Sequence, residues 1–244
     1  MLGSMTFVAL AGGSGKLGRI IRSVIDETSG FEVTKVLGSA SDPSEIAGAD
    51  LVVDATRLEA SEKIVREAIA QKIPTLVATS GWSAEKIAEI TPLAEAAGVP
   101  VVFIPNFSLG SVIGSAIAAQ AAKFFAFAEI IESHRDTKVD SPSGTAVRTA
   151  ELIAAGRETP VEAPNAHQPA RGEQVAGVPV HSLRRPGVIA QQQVVLSGPG
   201  ESLTIQHDTA DPQAAYAPGI RISLAGTRDA SGVIVGLENF LELA

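Results

Sequence analysis

The chain of 244 residues contains no cysteine. Disulfide bonds, iron–sulfur clusters and thiolate metal sites are therefore excluded. Histidine is also scarce, because the sequence has four, dispersed without the close carboxylate spacing that a set of metal ligands needs. We expect no metal site in this protein.

The sequence lacks an apolar run long enough to cross a bilayer, and no charged-then-apolar leader follows Met1. The sequence has 19 Lys and Arg residues and 27 Asp and Glu residues, so its net charge is −8. That balance opposes non-specific binding of nucleic acid, which needs a basic surface to replace phosphate counterions. We expect a cytoplasmic protein that binds neither membrane nor nucleic acid, in which any anionic substrate meets a local positive pocket.

Short apolar runs alternate with amphipathic segments over the first hundred residues. This alternation is typical of a parallel sheet covered by helices. We predict strands at 7–11, 32–37, 51–54, 75–78 and 99–104, and helices at 17–27, 60–71 and 84–97. Ser61 and Ser83 are available as helix caps. The fold class is therefore predicted to be α/β, with a Rossmann-like, doubly wound parallel sheet.

A glycine-rich turn, GGSGKLG at 12–18, follows the first predicted strand and opens the first predicted helix. Gly12 permits a tight turn, Gly15 lets the backbone approach a pyrophosphate, and Gly18 lets the helix pack close to the sheet. The pattern is G-x-x-G-x-x-G rather than the commoner G-x-G-x-x-G. Its position between strand and helix favours a dinucleotide site over a mere glycine-rich turn.

The end of the second predicted strand lacks the acidic residue that grips the ribose hydroxyls in an NAD site. Gly38, Ser39 and Ser41 stand there instead. Lys16 and the two serines could receive a 2′-phosphate, so we expect a preference for NADPH over NADH. Asp42 lies close enough that a different strand end would reverse this inference.

The regular alternation of short apolar runs and amphipathic segments ends near residue 108. We predict, in order, a helix at 109–125, a strand at 128–134, a mobile connection at 156–177 and extended runs at 180–183, 188–196 and 202–207. Turn signals at 185–187 and 198–200 separate the extended runs. The segment therefore predicts an α+β unit with an open mixed or antiparallel sheet.

Helical patterns return at 218–227 and 237–243, where they would pack back on the first domain. We therefore predict a dinucleotide-binding domain made of residues 1–107 with 218–244. Residues 108–217 form the predicted substrate-binding and oligomerisation domain.

The loop ESHRDTKVDSPSGTA at 132–146 concentrates groups suited to a small anionic substrate. Ser143, Gly144 and Thr145 precede a segment with helical spacing, so their backbone N–H groups should be free at a helix N-terminus and could bind a carboxylate. Lys138 reinforces that site. His134 has a side chain that passes a proton readily near neutral pH. Each residue alone would more often be structural, and their convergence indicates a site.

Several motifs together resemble the 4-hydroxy-tetrahydrodipicolinate (dihydrodipicolinate) reductase family of diaminopimelate and lysine biosynthesis. They are GGSGKLG at 12–18, ATSGW at 78–82, IPNFSLG at 104–110, the loop at 132–146, GVPVHSLRRPGV at 177–188, GESLTIQHD at 200–208 and the ending GLENFLEL. The resemblance covers essentially the whole chain. It implies hydride transfer from NADPH or NADH to a cyclic, unsaturated imine dicarboxylate, and a homotetramer built through the sheet of the central domain.

The resemblance also implies roles for individual residues. His134 would be the proton donor, with Lys138 as the second catalytic residue, and Ser143, Gly144 and Thr145 would bind a substrate carboxylate. Cofactor contacts would come from Gly12, Gly15, Lys16, Leu17, Gly18, Thr79, Ser80, Gly81, Asn106 and Phe107. Ser39 would contact the 2′-phosphate. Trp82 is equally compatible with a packing role and is left out of the site.

Two departures fall in the most specific motif. Arg135 replaces a second histidine that helps hold the substrate, and Ser141 replaces an alanine. The guanidinium of Arg135 offers a forked, permanently charged contact to the substrate instead of a titratable ring. Two alternatives therefore stay open: a related NADPH-dependent reductase of another cyclic imine or enamine carboxylate, and a non-catalytic nucleotide-binding protein.

Overall fold

The computed structural model describes residues 5–242. The chain divides into two compact units, one made of the residues up to Phe107 together with Tyr216–Glu242, the other of Ser108–Ala215. Each unit has its own sheet. Within the described residues, no helix is both long and apolar enough to span a bilayer.

The strands within residues 5–242 are β1 (Thr6–Ala11), β2 (Phe31–Leu37), β3 (Leu51–Asp54), β4 (Thr75–Val77), β5 (Val101–Phe103), β6 (Phe127–His134), β7 (Glu173–Val175), β8 (Val178–Arg184), β9 (Ala190–Gly198), β10 (Glu201–Thr209) and β11 (Val233–Val235). The α-helices are α1 (Lys16–Asp26), α2 (Leu58–Ala70), α3 (Ala84–Ala97), α4 (Leu109–Ala121), α5 (Gly144–Ala155) and α6 (Pro212–Asp229).

The first unit contains a parallel sheet with the strand order β11-β5-β4-β3-β1-β2. Its central strands are continuous apolar runs because both faces are covered by helices, and all four residues of β3 are buried. Helix α1 turns Ile21, Val24 and Ile25 inward. Helix α3 begins where Ser83 Oγ accepts the Lys86 N–H and ends at Gly98 in a left-handed conformation. The predicted doubly wound sheet is confirmed.

The second unit contains a mixed sheet with the strand order β10-β9-β6-β8-β7. Central strand β6 runs parallel to β8 and antiparallel to β9. Helices α4 and α5 contribute alanines and Ile153 to a core that includes Ile130 and Leu196 of the sheet. The predicted α+β unit with an open mixed sheet is confirmed.

The structure differs from three local predictions. The segment 237–243 is a short 3₁₀ turn over Leu237–Phe240, with residue 243 outside the described residues, and the preceding Val233–Val235 forms β11. Helix α2 begins at Leu58, so Ser61 is not its cap and is buried instead. The predicted mobile connection at 156–177 contains β7. Strands β11 and β7 form through pairing with β5 and β8, which lie far away or follow a turn and are not visible in the local pattern.

The first glycine turn depends on a close backbone approach. A Cβ atom on Gly18 would overlap the carbonyl oxygen of Gly12, which accepts the Gly15 N–H at 2.9 Å. We predict that Gly18→Ala lowers the free energy of unfolding by about 2 kcal/mol or more, because the backbone must shift. The matched substitution Gly114→Ala, in α4 with only ordinary contact at Ile205, should change stability by less than about 1 kcal/mol. Urea unfolding of both variants checks this, and equal effects would contradict it.

Candidate active site

The glycine turn lies where β1 ends and α1 begins. Gly12 has a φ of +79°, and a Cβ there would overlap the carbonyl oxygen of Ala55 in the loop after β3. Gly15 is the residue before α1. The turn therefore brings bare backbone to the start of a helix, the arrangement that binds phosphate groups.

A cavity of about 790 Å³ adjoins this turn within the first unit. Ser39 and Ser41 line it from the loop after β2, and Arg57 and Lys63 line it from the first turns of α2. Of the predicted cofactor residues that the structure describes, Gly12, Gly15 and Ser39 line the cavity, whereas Lys16, Leu17, Gly18, Thr79, Ser80, Gly81, Asn106 and Phe107 do not. The cations at the cavity are thus Arg57 and Lys63 rather than the predicted Lys16.

A buried polar network joins the loops that follow β3 and β4. Asp54 is fully buried and accepts hydrogen bonds from the Thr56 backbone N–H at 3.2 Å, the Thr56 hydroxyl at 2.6 Å and the Ser61 hydroxyl. The Thr56 N–H also donates to Thr79 Oγ1 at 2.9 Å. Burial raises the pKa of Asp54, and the hydrogen bonds, which lower it, only partly offset this effect. The network holds Thr79, a predicted cofactor residue, at the carboxyl end of the sheet.

Trp82 belongs to the same network and to the apolar core. Its indole N–H donates to Ser61 Oγ at 2.9 Å, and its ring lies 4.9 Å from that of Phe103 between centroids. These contacts give Trp82 a packing role. Phe107 is also almost fully buried. The predicted contact of Phe107 with the cofactor would therefore involve its backbone.

In the second unit, Glu132 and His134 lie two residues apart on β6 and so face the same side of the sheet. The Glu132 side chain is fully buried and that of His134 is 12% exposed. His134 Nδ1 lies 2.6 Å from Glu132 Oε2. A carboxylate can only accept, so Nδ1 carries the hydrogen and Nε2 is the ring atom left for a ligand.

Arg184 of β8 approaches the same carboxylate with both terminal nitrogens, Nη1 to Oε2 and Nη2 to Oε1, each at 3.0 Å. The Ser143 backbone N–H donates to Glu132 Oε1 at 3.2 Å. Burial alone would raise the pKa of Glu132, but the hydrogen bonds from His134 and Arg184 outweigh it and lower the pKa from 4.5 to about 2. Glu132 is therefore ionised throughout the physiological range.

The loop between β6 and α5 carries the other predicted substrate residues. Lys138 Nζ lies 2.7 Å from each carboxylate oxygen of Asp140, which lowers the pKa of Asp140. Arg135 is exposed, and its Nε donates to Thr137 Oγ1 at 3.1 Å. Arg135 lies on the surface of the loop and Lys138 is partly buried, and each is paired with a group that an anion can replace.

Helix α5 begins at Gly144, with Ser143 as its cap. Ser143 Oγ accepts the Ala146 N–H at 3.3 Å. The prediction of a free N–H was wrong for Ser143, because that group donates to Glu132. Gly144 and Thr145 are the first helical residues, whose N–H groups have no acceptor within the helix. The candidate anion site therefore consists of the Gly144 and Thr145 N–H groups and the neighbouring cations.

Two residues of this cluster were not predicted. Glu132 lies in the motif at 132–146 without a predicted role, and Arg184 lies in the motif GVPVHSLRRPGV without one. A glutamate in an otherwise apolar strand face, two residues before a histidine, was the available signal for Glu132. The sequence contains no comparable signal for Arg184, because its pairing with Glu132 depends on the register of β8 against β6.

Known proteins match the chain along nearly its whole length. Models of the dihydrodipicolinate reductase N-terminus and C-terminus match residues 6–107 and 110–241. The chain belongs to the dihydrodipicolinate reductase family. A 4-hydroxy-tetrahydrodipicolinate reductase of Clavibacter michiganensis subsp. michiganensis is 47% identical over 98% of this chain and 87% of its own length. A Beutenbergia cavernae protein of the same name is 37% identical over 97% of this chain and 98% of its own length.

A solved structure agrees with this membership. The dipicolinate-bound dihydrodipicolinate reductase from Paenisporosarcina sp. TG-14 superposes with a TM-score of 0.83 at 29% identity, covering 97% of this chain and all of that one. The family resemblance predicted from the motifs is confirmed, and the chain is a nicotinamide nucleotide-dependent oxidoreductase of the dihydrodipicolinate reductase family.

The low pKa of Glu132 predicts how the fold responds to acid. Because the folded-state pKa lies below the unfolded one, the carboxylate stabilises the fold above about pH 4.5, and this contribution is lost as the pH falls toward about 2. The shift corresponds to a contribution on the order of 3 kcal/mol. We predict that the difference in free energy of unfolding between the wild type and Glu132→Gln shrinks between pH 7 and pH 3. Urea unfolding at both pH values measures it, and a constant difference would refute the assignment.

Proposed function

We propose that this chain reduces 4-hydroxy-tetrahydrodipicolinate to tetrahydrodipicolinate in diaminopimelate and lysine biosynthesis. The observation that carries the proposal is the grouping of His134, Lys138 and the N-terminus of α5 around one loop, in a chain with 47% identity to a reductase of that name. Loss of the 4-hydroxyl group as water leaves a conjugated imine. Adding hydride to that imine gives an electron-rich enamine that must be protonated. An acid beside an anion site meets that need.

In this proposal His134 delivers the proton from Nε2, because Nδ1 is held by Glu132. Lys138, Gly144 and Thr145 bind one substrate carboxylate, with the Ser143 cap shaping the helix terminus. The substrate carboxylate would replace Asp140 as the partner of Lys138. Such an exchange keeps Lys138 paired in both states and avoids leaving a half-buried cation alone.

Arg135 takes the place of the family's second histidine in substrate binding. Its guanidinium carries a fixed charge and can contact a carboxylate through two N–H groups. The partner it has in the structure, the Thr137 hydroxyl, is neutral and easily exchanged. A dicarboxylate substrate therefore has a cation for each of its acidic groups, Lys138 for one and Arg135 for the other.

The first activity test follows NADPH oxidation by purified protein, with substrate generated in the cuvette from pyruvate and aspartate semialdehyde by the preceding synthase. We predict that His134→Ala lowers kcat by about 10²–10⁴-fold, the range for loss of a general acid. Lys138→Ala should lower kcat/KM because it removes a substrate contact. His167→Ala, an exposed histidine outside the site, is the control and should keep wild-type activity.

The outcomes separate the open alternatives. Turnover abolished by both site variants supports the proposal. Turnover of other cyclic imine carboxylates, with none of this substrate, identifies a related reductase in which Arg135 has changed the specificity. Tight NADPH binding without turnover of any imine acid identifies a nucleotide-binding protein without catalysis.

We propose that the cofactor is NADPH rather than NADH. The cavity beside the glycine turn carries Ser39 and Ser41 where an NAD-selecting acid would stand, and Arg57 and Lys63 add positive charge. Glu59 also lines the cavity, so the charge there is mixed. A 2′-phosphate gains charge-assisted hydrogen bonds from these serines and cations, whereas a ribose hydroxyl gains little.

Lys63→Met tests the cofactor assignment. We predict about a tenfold rise in KM for NADPH with little change for NADH, as expected for losing one charge-assisted contact. Arg66→Met, on the same helix but paired with Glu89 outside the cavity, is the matched control and should leave both constants unchanged. A lower KM for NADH than for NADPH in the wild type would overturn the assignment.

We also propose that the enzyme acts in the cytoplasm as a homotetramer built through the sheet face opposite α4 and α5. That face carries Gln191, Gln193, Gln206 and Asp208, which are joined by hydrogen bonds of 2.5–2.7 Å. Polar side chains held together by hydrogen bonds offer donors and acceptors to a second copy. Sedimentation equilibrium gives the mass directly, and a monomer at all concentrations would refute the tetramer.

A further inference from the structure

We propose that Glu132 is a positioning residue for the reduction, holding His134 in one tautomer and orientation, and that Arg184 fixes Glu132 for this task. The inference rests on the proposed role of His134 as proton donor. It adds two residues to the reaction that touch neither substrate nor cofactor and act through the imidazole.

The first observation is the direct contact. Glu132 Oε2 lies 2.6 Å from His134 Nδ1, and both side chains project from the same face of β6. When protonated His134 gives its Nε2 proton to the enamine carbon, the ring becomes the neutral Nδ1–H tautomer. That product tautomer is the one whose hydrogen bond to Glu132 is already made, so proton transfer needs no rotation of the ring.

The second observation is that Arg184 fixes the Glu132 carboxylate. Arg184 contacts both oxygens at 3.0 Å, and its own terminal nitrogens also donate to the backbone carbonyls of Leu183 at 2.7 Å and Asp140 at 2.5 Å. The arginine is therefore fixed by the main chain, independently of any ligand. A forked pair of this kind sets the plane of the carboxylate, and so the direction from which it accepts the imidazole N–H.

The third observation ties the proton donor to the anion site. Glu132 Oε1 accepts the N–H of Ser143, the cap of α5, at 3.2 Å. One carboxylate therefore contacts His134 through one oxygen and the start of α5 through the other. The position of the imidazole relative to the Gly144 and Thr145 N–H groups is set by this single side chain.

Other charges surround the pair and remain unchanged when Glu132 is altered. Strand β9 places Gln192 opposite Glu132 and Ala190 opposite His134. The remaining charged residues on the packed elements are Arg184 on β8, Arg148 and Glu151 on α5, and Arg135, Asp136, Lys138 and Asp140 on the connecting loop. A difference in pH profile between wild type and a Glu132 variant therefore reports the loss of the Glu132 carboxylate.

The chain offers a matched control on the same strand. Glu129 lies on the opposite face of β6, where it pairs with Arg171 and with His181 Nε2, the latter at 2.8 Å. It has the same residue type, the same kinds of partner and a lowered pKa, although burial opposes that lowering. It has no contact with His134 or α5 among the hydrogen bonds of residues 5–242. If a Glu–Arg–His cluster affects activity only by stabilising the fold, substitution of Glu129 and of Glu132 should lower activity alike.

The kinetic test compares Glu132→Gln, Glu132→Asp and Glu129→Gln in the full chain, with oligomeric mass checked for each. We expect Glu132→Gln to lower kcat about 10–100-fold with KM for NADPH unchanged. Its kcat–pH profile should differ from that of the wild type, because the carboxylate that faces the imidazole is gone. Glu132→Asp keeps the charge and should recover part of kcat. Glu129 lies on the face proposed for subunit contacts, so Glu129→Gln is compared at equal oligomeric mass, where it should keep the wild-type kcat. Wild-type kcat and pH profile in Glu132→Gln would overturn the proposal.

The spectroscopic test needs neither turnover nor a folded variant at Glu132. In ¹⁵N-histidine-labelled wild-type protein, long-range ¹⁵N–¹H correlations distinguish the two neutral tautomers, with His134 assigned by the signals lost in His134→Ala. We expect the Nδ1–H form for neutral His134. The Nε2–H form, or a mixture of both, would overturn the positioning role. Full activity of His134→Ala would instead refute the proposed proton donor, while leaving the tautomer measurement to stand on its own.

Discussion

A single buried carboxylate, that of Glu132, organises the polar side chains of the second unit. It is fully buried yet ionised, because Arg184, His134 and the Ser143 N–H together replace the water it has lost. A buried charge of this kind is stable only when all its partners are present, so the positions of β6, β8 and the start of α5 are mutually dependent. The proposed proton donor and anion site are therefore consequences of one electrostatic constraint.

In the first unit, a buried carboxyl group has uncharged hydrogen-bond partners. Asp54, at the end of β3, is buried among hydroxyl groups and backbone N–H groups, and burial raises its pKa. It fixes Thr56 and Thr79 at the carboxyl end of a parallel sheet, where ligands of such folds bind. In both units a carboxylate at a strand end anchors the loops that carry the predicted site residues.

Sequence patterns were sufficient wherever the physical signal is local. The run at 51–54 is a strand because both faces are covered, and 84–97 is a helix between a serine cap and a glycine. The strand Val233–Val235 was not predicted, because its pairing with β5 at the edge of the sheet is a long-range contact that local patterns do not show. Arg184 could not be assigned either, because it lies 52 residues from Glu132 and meets it only through sheet register. The motif at 132–146 identified the loop, whereas the use of the Ser143 N–H by Glu132 required the structure.

The most direct test of this account is a crystal structure of the protein with NADPH and a cyclic dicarboxylate such as dipicolinate. We expect the dicarboxylate at Lys138, Gly144 and Thr145, with His134 Nε2 facing the ring within about 3.5 Å. His134 Nδ1 should still contact Glu132, and Lys138 should have exchanged Asp140 for a ligand carboxylate. A dicarboxylate bound away from this loop, or an imidazole turned away from Glu132, would contradict the central claim that Glu132 sets the geometry of proton delivery.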